Sequence, residues 1–537
     1  MTAIANFVHE LSTSVGTGAF ALSTVNGRQS FNDAFGYGAT EDVFHYFISN
    51  RDAAEWERGT GHLSGAGTLV RDTPLEGSSG DDTLVSFGLG TKDVTNSMPA
   101  GLLSSLLQSR YISVLDYGVF GETGVTGFDS TAAVQAAFDA VGDLNNIVYF
   151  PPGQYWLYSP ITINKACIVQ GPGRGVGDGS SATIEIVDAE DTGFNAFEVV
   201  TANAVVFRDL GFRDLLARTT GSCIYVASDG VDINLYSRFE NLTFSYSPTC
   251  ITLTAARLWN VRDCTISFQN YGIYYTNNDY PDSGDNNLSG NVFLGLPTAE
   301  ACIYTESSLG MFLTGNKIFG AKRGLWHVAK GSTGIYQIVA NSFEEQVDCF
   351  IEVQQSTPGV SFCQMNVNAN EFSMQVYSPN PQPTADLITI IEGGSGQYVQ
   401  RINISDNTFN INVEAFVNVI NIQDGDGVVI SKNVINLTDQ PNVGGIATGG
   451  NVTNAKVLDN VFCGALNSQK YSGGLNSATI LRDLDGLAFA DLDSWANGSQ
   501  VYVTDGAPTG GGDYTLDDGG SGALAARARG VWFALTG

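Results

Sequence analysis

Through the middle of the chain, short runs rich in Val, Ile and Phe alternate with polar residues in period two and end at Asn or Gly. This pattern predicts short β-strands, each with one buried face and a tight turn after it. The strands repeat. A small or polar residue, Asn, any residue, then Phe or Ile recurs as GNVF ending at Phe293, GNKI at Ile318, ANSF at Phe343, ANEF at Phe372, DNTF at Phe409, KNVI at Ile435 and DNVF at Phe462. Looser copies end at Phe212, Phe244 and Ile266, so nine intervals of about 28 residues separate Phe212 from Phe462. A period in this range is that of a solenoid with one coil per phrase, in which the Asn side chains form a hydrogen-bonded ladder.

A second register runs beside the first: about six residues after the repeat Phe or Ile comes a small residue and then a large apolar one. Cys223-Ile224, Cys250-Ile251, Gly272-Ile273, Cys302-Ile303, Gly324-Leu325, Cys349-Phe350 and Ala415-Phe416 fit it. Four of the eight cysteines thus fill one packing slot and are expected to be free thiols; no CxxC or His cluster suggests zinc, and no metal or cofactor is expected. Upstream, Asp129-Ser130-Thr131 offers N-caps to a helix over 129–141, with Val134, Ala137, Phe138 and Val141 on one face, which can cover the open edge of the first coil.

Residues 1–100 read as a separate small β domain, 101–110 as a short helical neck around Leu102-Leu103-x-x-Leu106-Leu107, 111–465 as the β-helix and 466–537 as a small C-terminal β domain. The fold class is therefore all-β, a parallel β-helix with small terminal domains.

Charge narrows the function. With 25 Lys+Arg against 55 Asp+Glu the net charge is −30, which repels phosphate backbones and anionic lipid. Neither nucleic-acid binding nor membrane insertion is expected, and the absence of a basic-then-apolar start or a long apolar run points to a chain made in the cytosol. The run Gly171–Gly179 lacks the Gly-Lys-Ser/Thr ending of a phosphate loop, and the acidic loop 277–285 lacks EF-hand spacing, so both read as turns.

Against the acidic whole, Lys317, Lys322, Arg323 and Lys330 cluster with Trp326 and His327. Arg323 and Asp348 stand one coil apart in the repeat register, which suggests an ion pair between coils. If the apolar slot points inward, the residue after it points outward, giving a row of Tyr225, Thr252, Tyr274, Tyr304 and Trp326. Sugar rings or a neighbouring protomer would cover such a row equally well. Lys317, Lys322, Arg323, Trp326, His327, Tyr274 and Tyr304 are the candidate substrate-binding residues. Glu344 follows the inward Phe343 and Glu371 precedes the inward Phe372, so both carboxylates should point outward from neighbouring coils with backbones about 8 Å apart. That separation suits the acid and base of inverting glycoside hydrolysis; a base beside positive charge also fits β-elimination. Glu344 and Glu371 are the candidate catalytic pair.

Tyr111–Gly118, the helix, and Val148–Tyr155 with its Phe-Pro-Pro-Gly together resemble the start of the pectate-lyase-like right-handed β-helix of bacteriophage tailspikes, which implies a right-handed parallel β-helix here. Ser30–Gly36, Trp56-Glu57, Arg71-Asp72-Thr73 and Gly90-Thr91-Lys92 resemble a module that attaches phage tail proteins to the virion. The resemblance implies a parallel homotrimer on the virion tail, joined to tail or baseplate through residues 1–100, that binds and depolymerises a host surface polysaccharide. A tail spike that binds its receptor without cutting it, and a cellular polysaccharide lyase, are the alternatives.

Overall fold

The computed structural model describes residues 5, 7–37, 43–80, 82–96, 111–118, 128–142, 146–176, 180–200, 202–216, 218–227, 236–276, 286–307, 310–329, 333–355, 362–375, 383, 385–391, 401–412, 417–437, 443–463, 471–473, 480–483, 500–503, 507–508, 516–517, 523–528 and 531–535. The neck expected at 101–110, the loop 277–285, Ala415-Phe416, Lys330 and much of 466–537 lie outside them. The chain divides into two compact units, Met1–Arg110 and Tyr111–Gly537.

The first unit is a seven-stranded sheet whose central strands, Phe44–Asn50, Trp56–Gly65 and Thr68–Gly77, run antiparallel, with a single helical turn at Phe31–Phe35. Phe20, Phe31, Phe44, Tyr46, Ile48 and Leu69 form its own core. Glu57, Arg71 and Lys92, from the segments that carry the tail-protein resemblance, make a polar interior. Arg71 Nη1 lies 2.9 Å from Glu57 Oε2, both side chains being out of solvent, and the Tyr46 hydroxyl donates to Glu57 Oε1 at 2.7 Å. Lys92, fully buried, donates to the carbonyls of Gly88 and Gly90. Buried charge satisfied this completely ties one arrangement of strands together, since losing either partner would leave the other uncompensated.

The second unit is a parallel β-helix with three faces. Register partners on the first face put Phe207, Phe239, Val261, Leu288, Leu313 and Ile338 in one inward row. On the second face Phe212, Phe244, Ile266, Phe293, Ile318, Phe343, Phe372 and Phe409 stack. On the third, Ile224, Ile251, Ile273, Ile303, Leu325, Ile351, Ile388 and Ile420 do so. The inward rows fuse into one continuous core. Alternation of period two does the sorting, because every second side chain of each strand leaves the core.

The repeat phrase is the corner between the first two faces. From Arg208 to Val461 this corner has two residues in every coil, and the first always has positive φ: Asp209, Asn241, Asp263, Gly290, Gly315, Ala340, Ala369, Asp406, Lys432 and Asp459. The second is Leu210, Leu242 or Cys264 in the early coils and Asn in the next seven. Asn291, Asn316, Asn341, Asn370, Asn407, Asn433 and Asn460 form the expected ladder, each amide donating to the next Oδ1 at 2.9–3.0 Å. Each amide also donates to a carbonyl of the preceding coil, so the side-chain polar atoms of the ladder are paired.

The capping helix spans Thr131–Asp139, shorter at both ends than 129–141, and it is Asp129 Oδ1, not Ser130, that accepts from the Thr131 amide. Val134, Ala137, Phe138 and Val141 enter the core of the first coil. Gln135 closes the open edge of the strand Ile161–Ile163 as a missing strand would: its Nε2 donates to Thr162 O at 3.0 Å and its Oε1 accepts from Thr162 N at 2.8 Å. At the other end parallel pairing continues past residue 465, through Tyr471–Gly473 and Ile480–Asp483, before Gln500–Val503, Ala523–Ala528 and Val531–Leu535 turn antiparallel.

The small-residue slot has a steric cause. A Cβ on Gly324 would sit 2.7 Å from the Phe343 ring, and one on Gly272 3.0 Å from Phe293. Cys223, Cys250 and Cys302 fill that slot as free, buried thiols, whereas Cys349, also free and buried, stands one position before it opposite Arg323. Cys349-Phe350 is one residue out of step: Leu325 pairs with Ile351, because the amides of Asp348 and Cys349 both reach the Lys322 carbonyl and absorb an extra residue.

Candidate functional site

The solvent side of the second face carries a grid of six side chains on three successive coils. Lys317, Ser342 and Glu371 are register partners in one row, and Phe319, Glu344 and Ser373 in the next. Glu344 and Glu371 therefore do stand on neighbouring strands, offset by two residues, with backbones about 8 Å apart. Glu344 is oriented from two sides: Lys317 Nζ lies 3.2 Å from Oε2, and the Ser342 hydroxyl donates to Oε1 at 2.8 Å. Glu371 is exposed. Beside Glu344, Phe319 is 37% exposed, and its own register partner Leu294 is 39% exposed. These two apolar surfaces fall outside the repeat phrase, which ends at Ile318 and Phe293. Alternation past those inward residues is the signal that finds them.

Around the adjoining corner, on the third face, Tyr225, Thr252, Tyr274, Tyr304 and Trp326 are register partners in the expected outward row. They are less open than a bare ladder. Tyr304 is 9% exposed, and together with Ala301 and Val328 it forms a small apolar cluster outside the main core, packed by Tyr271, Tyr274 and Trp326. The Tyr274 and Tyr304 rings stack at 4.8 Å, Trp326 meets Tyr304 edge-on at 5.0 Å, and Tyr271 joins from the coil edge at 4.9 Å from Tyr274. Burial, aided by nearby Glu300, pushes the Tyr271 hydroxyl up to about 12, so it stays a neutral donor.

Charge frames this cluster. The Arg323 guanidinium sits 4.3 Å over the Trp326 ring and is bonded to Glu352, with Glu300 Oε2 at 3.6 Å; Lys322 Nζ lies 2.5 Å from Glu300 Oε1. The ion pair expected between Arg323 and Asp348 gives way to these, since the extra residue at Asp348-Cys349 makes Cys349 the register partner of Arg323 and brings Glu352 beside Trp326.

His327 leaves the candidate set. Because Trp326 faces out, His327 faces in, where it is fully buried with the Thr305 hydroxyl 2.8 Å and the Tyr336 hydroxyl 2.9 Å from Nδ1. Burial lowers its pKa to about 3, opposed by a hydrogen bond to the Thr305 backbone, so the ring is neutral. Among the described residues no cluster of His, Cys, Asp or Glu has the geometry to hold a metal ion. What the two faces offer is a pair of carboxylates on rigid strands, apolar platforms and ion-paired cations: a surface suited to a ring-bearing polar ligand and to proton transfer.

Residues 111–343 match the family described as rhamnogalacturonase A/epimerase, pectate lyase-like. No curated protein matches the chain by sequence. Among solved structures, DFA-IIIase from Arthrobacter chlorophenolicus A6, without its lid and in complex with GF2, is similar at 15% identity over 67% of this chain and 99% of its own, with a TM-score of 0.50. PfbA, a surface adhesin of Streptococcus pneumoniae, is similar at 13% identity over 80% of this chain and 98% of its own, with a TM-score of 0.43. The A-module of the mannuronan C-5 epimerase AlgE4 of Azotobacter vinelandii is similar at 14% identity over 67% and 97%, with a TM-score of 0.42. The likeness at these identities is one of fold, a parallel β-helix.

Proposed function

We propose that the protein is a bacteriophage tailspike that binds and depolymerises a host surface polysaccharide, with Glu344 and Glu371 as its catalytic pair. The observation that carries the reading is the grid on the second face: two outward carboxylates on neighbouring strands, beside the exposed Phe319 and Leu294. A backbone separation of about 8 Å leaves room for a water between carboxylates, as inversion requires. In this reading Glu344, held by Lys317 and Ser342, takes the proton of the attacking water. Glu371 protonates the departing glycosidic oxygen, and sugar rings stack on Phe319. Supporting it from the sequence side are the tailspike-like opening of the helix and the tail-protein-like first unit, which imply a parallel homotrimer carried on the virion tail or baseplate and acting at the host surface. The aromatic cluster of the third face, with Tyr274, Tyr304 and Trp326, is then either a further sugar subsite or a seam between protomers.

The test is incubation of the protein with purified capsule or lipopolysaccharide from candidate hosts, followed by mass analysis of the products. Glu344→Gln and Glu371→Gln should each lose cleavage, by about a hundredfold or more, while retaining assembly and ligand binding. Full activity in either variant would remove that residue from the mechanism. A second reading, a spike that binds without cutting, is favoured by one observation: Glu344 is already engaged by Lys317, as in an ordinary surface ion pair. Retention of a polysaccharide with no product would decide for it.

A further inference from the structure

The ion pairs of the two faces bear on which glycan fits them. Resting on the carbohydrate reading above, we propose that the glycan is uncharged where it contacts this surface, and that its scission is hydrolysis rather than β-elimination.

Between residues 292 and 375 the chain carries four cations, Lys317, Lys322, Arg323 and Lys330, and seven carboxylates, Glu300, Glu306, Glu344, Glu345, Asp348, Glu352 and Glu371. Each of the three cations among the described residues already faces a carboxylate: Lys317 faces Glu344, Lys322 faces Glu300, and Arg323 faces both Glu352 and Glu300. The three described members of the basic cluster that stands out in the sequence are therefore neutralised in the fold. A uronate or sialate entering here would have to draw a cation from its partner. It would leave a carboxylate such as Glu352, whose side chain is nearly buried, without its counter-charge. The net charge of −30 adds long-range repulsion of polyanions.

An uncharged sugar asks for something else, apolar platforms for its C–H faces and acceptors for its hydroxyls. Phe319 and Leu294 supply the first, and Glu344, Glu371, Ser342 and Ser373 supply hydrogen-bonding groups around them. The chemistry follows from the charge. Elimination needs a sugar carboxylate whose developing enolate is met by an uncommitted cation, and Lys317, Lys322 and Arg323 are all committed to carboxylates. Hydrolysis needs only water: its oxygen bonds to the anomeric carbon, its proton goes to Glu344, the glycosidic C–O bond breaks, and Glu371 gives the leaving oxygen a proton.

The test follows reducing-end release and absorbance at about 235 nm, where the unsaturated product of elimination absorbs, on a panel of purified bacterial surface polysaccharides. Each is used as isolated and after carboxyl reduction, which turns every uronate into the neutral hexose. Native gels cast with the same polysaccharides read retention without cleavage. The expected result is scission or retention confined to glycans that are neutral as isolated or made so by reduction, insensitive to added salt and with no rise in absorbance. An acidic polysaccharide that is cut or retained as isolated, and escapes once reduced, would overturn this inference while leaving the carbohydrate reading intact. Failure to retain or cut any glycan would remove the carbohydrate reading and this inference with it. A companion variant, Glu300→Gln with Glu352→Gln, frees Lys322 and Arg323. With its fold checked by circular dichroism, it should gain a salt-sensitive retention by polygalacturonate that the native protein lacks, and no gain would count against neutralisation as the cause of the selectivity.

Discussion

His327 shows how a single position changes meaning between sequence and fold. It lies in a basic, aromatic stretch and reads as a ligand-binding residue, yet the alternation that turns Trp326 outward seals His327 in the core, where burial lowers its pKa to about 3. The unfolded ring takes up a proton near its ordinary value of about 6.5 and the folded ring does not, so protonation favours unfolding. Its contribution to stability is intact above about pH 6.5 and is lost progressively as pH falls toward 3. At pH 5 the loss amounts to about 2 kcal/mol, at about 1.4 kcal/mol per unit. Denaturant unfolding at pH 7 and pH 5 should show that difference, and His327→Gln, which can still bond the Thr305 and Tyr336 hydroxyls but does not titrate, should reduce it. Asn341 illustrates the opposite case, a residue whose role is legible from the repeat alone. Its amide bonds Asn370 Oδ1 and Leu313 O, and its Oδ1 accepts from both the backbone and the side chain of Asn316. Asn341→Ala strands several buried groups and should cost about 3 kcal/mol, read as a lowered unfolding midpoint.

At the scale of elements, the coils were legible because two periods coincide, alternation within a strand and recurrence of the Asn phrase about every 28 residues. Less legible was whatever depends on an added residue. The doubled amides at Asp348 and Cys349 move Glu352, rather than a residue counted from Phe350, into the row after Trp326, and that one step redirects Arg323. Likewise, the cations were visible as a cluster, but their partners come from other coils, which spacing alone does not bring together. The capping helix was expected to cover the first coil by its apolar stripe; the clamp made by Gln135 has no sequence signature, since a polar residue on a helix ordinarily reads as solvent-facing. Gln135→Ala should leave the Thr162 amide and carbonyl unpaired at an open edge. It should lower the onset of thermal aggregation, measured by light scattering, more than it lowers the helical signal.

For the whole molecule, two units with separate cores predict separable behaviour. A chain beginning at Tyr111 keeps the entire core of the β-helix together with its capping helix, and is expected to fold and to bind the same polysaccharide as the full chain; loss of binding by a folded truncation would show that the first unit takes part in recognition. If the aromatic row is a seam between protomers, light scattering should give three times the 57.0 kDa of one chain, and a stable monomer would oppose the trimer. The corner between the first and second faces has a wider consequence. It keeps two residues in coil after coil, whereas the chain between the third face and the first varies from two residues after Asp426 to the whole stretch from Ile391 to Ile402. Length is thus frozen along one edge and free along another. Descendants of this chain can acquire new surface loops, and with them new surface chemistry, without disturbing the stack. A gain or loss of helix length is permitted only in whole turns, each bringing or removing one left-handed residue and its corner partner, Asn in the later coils.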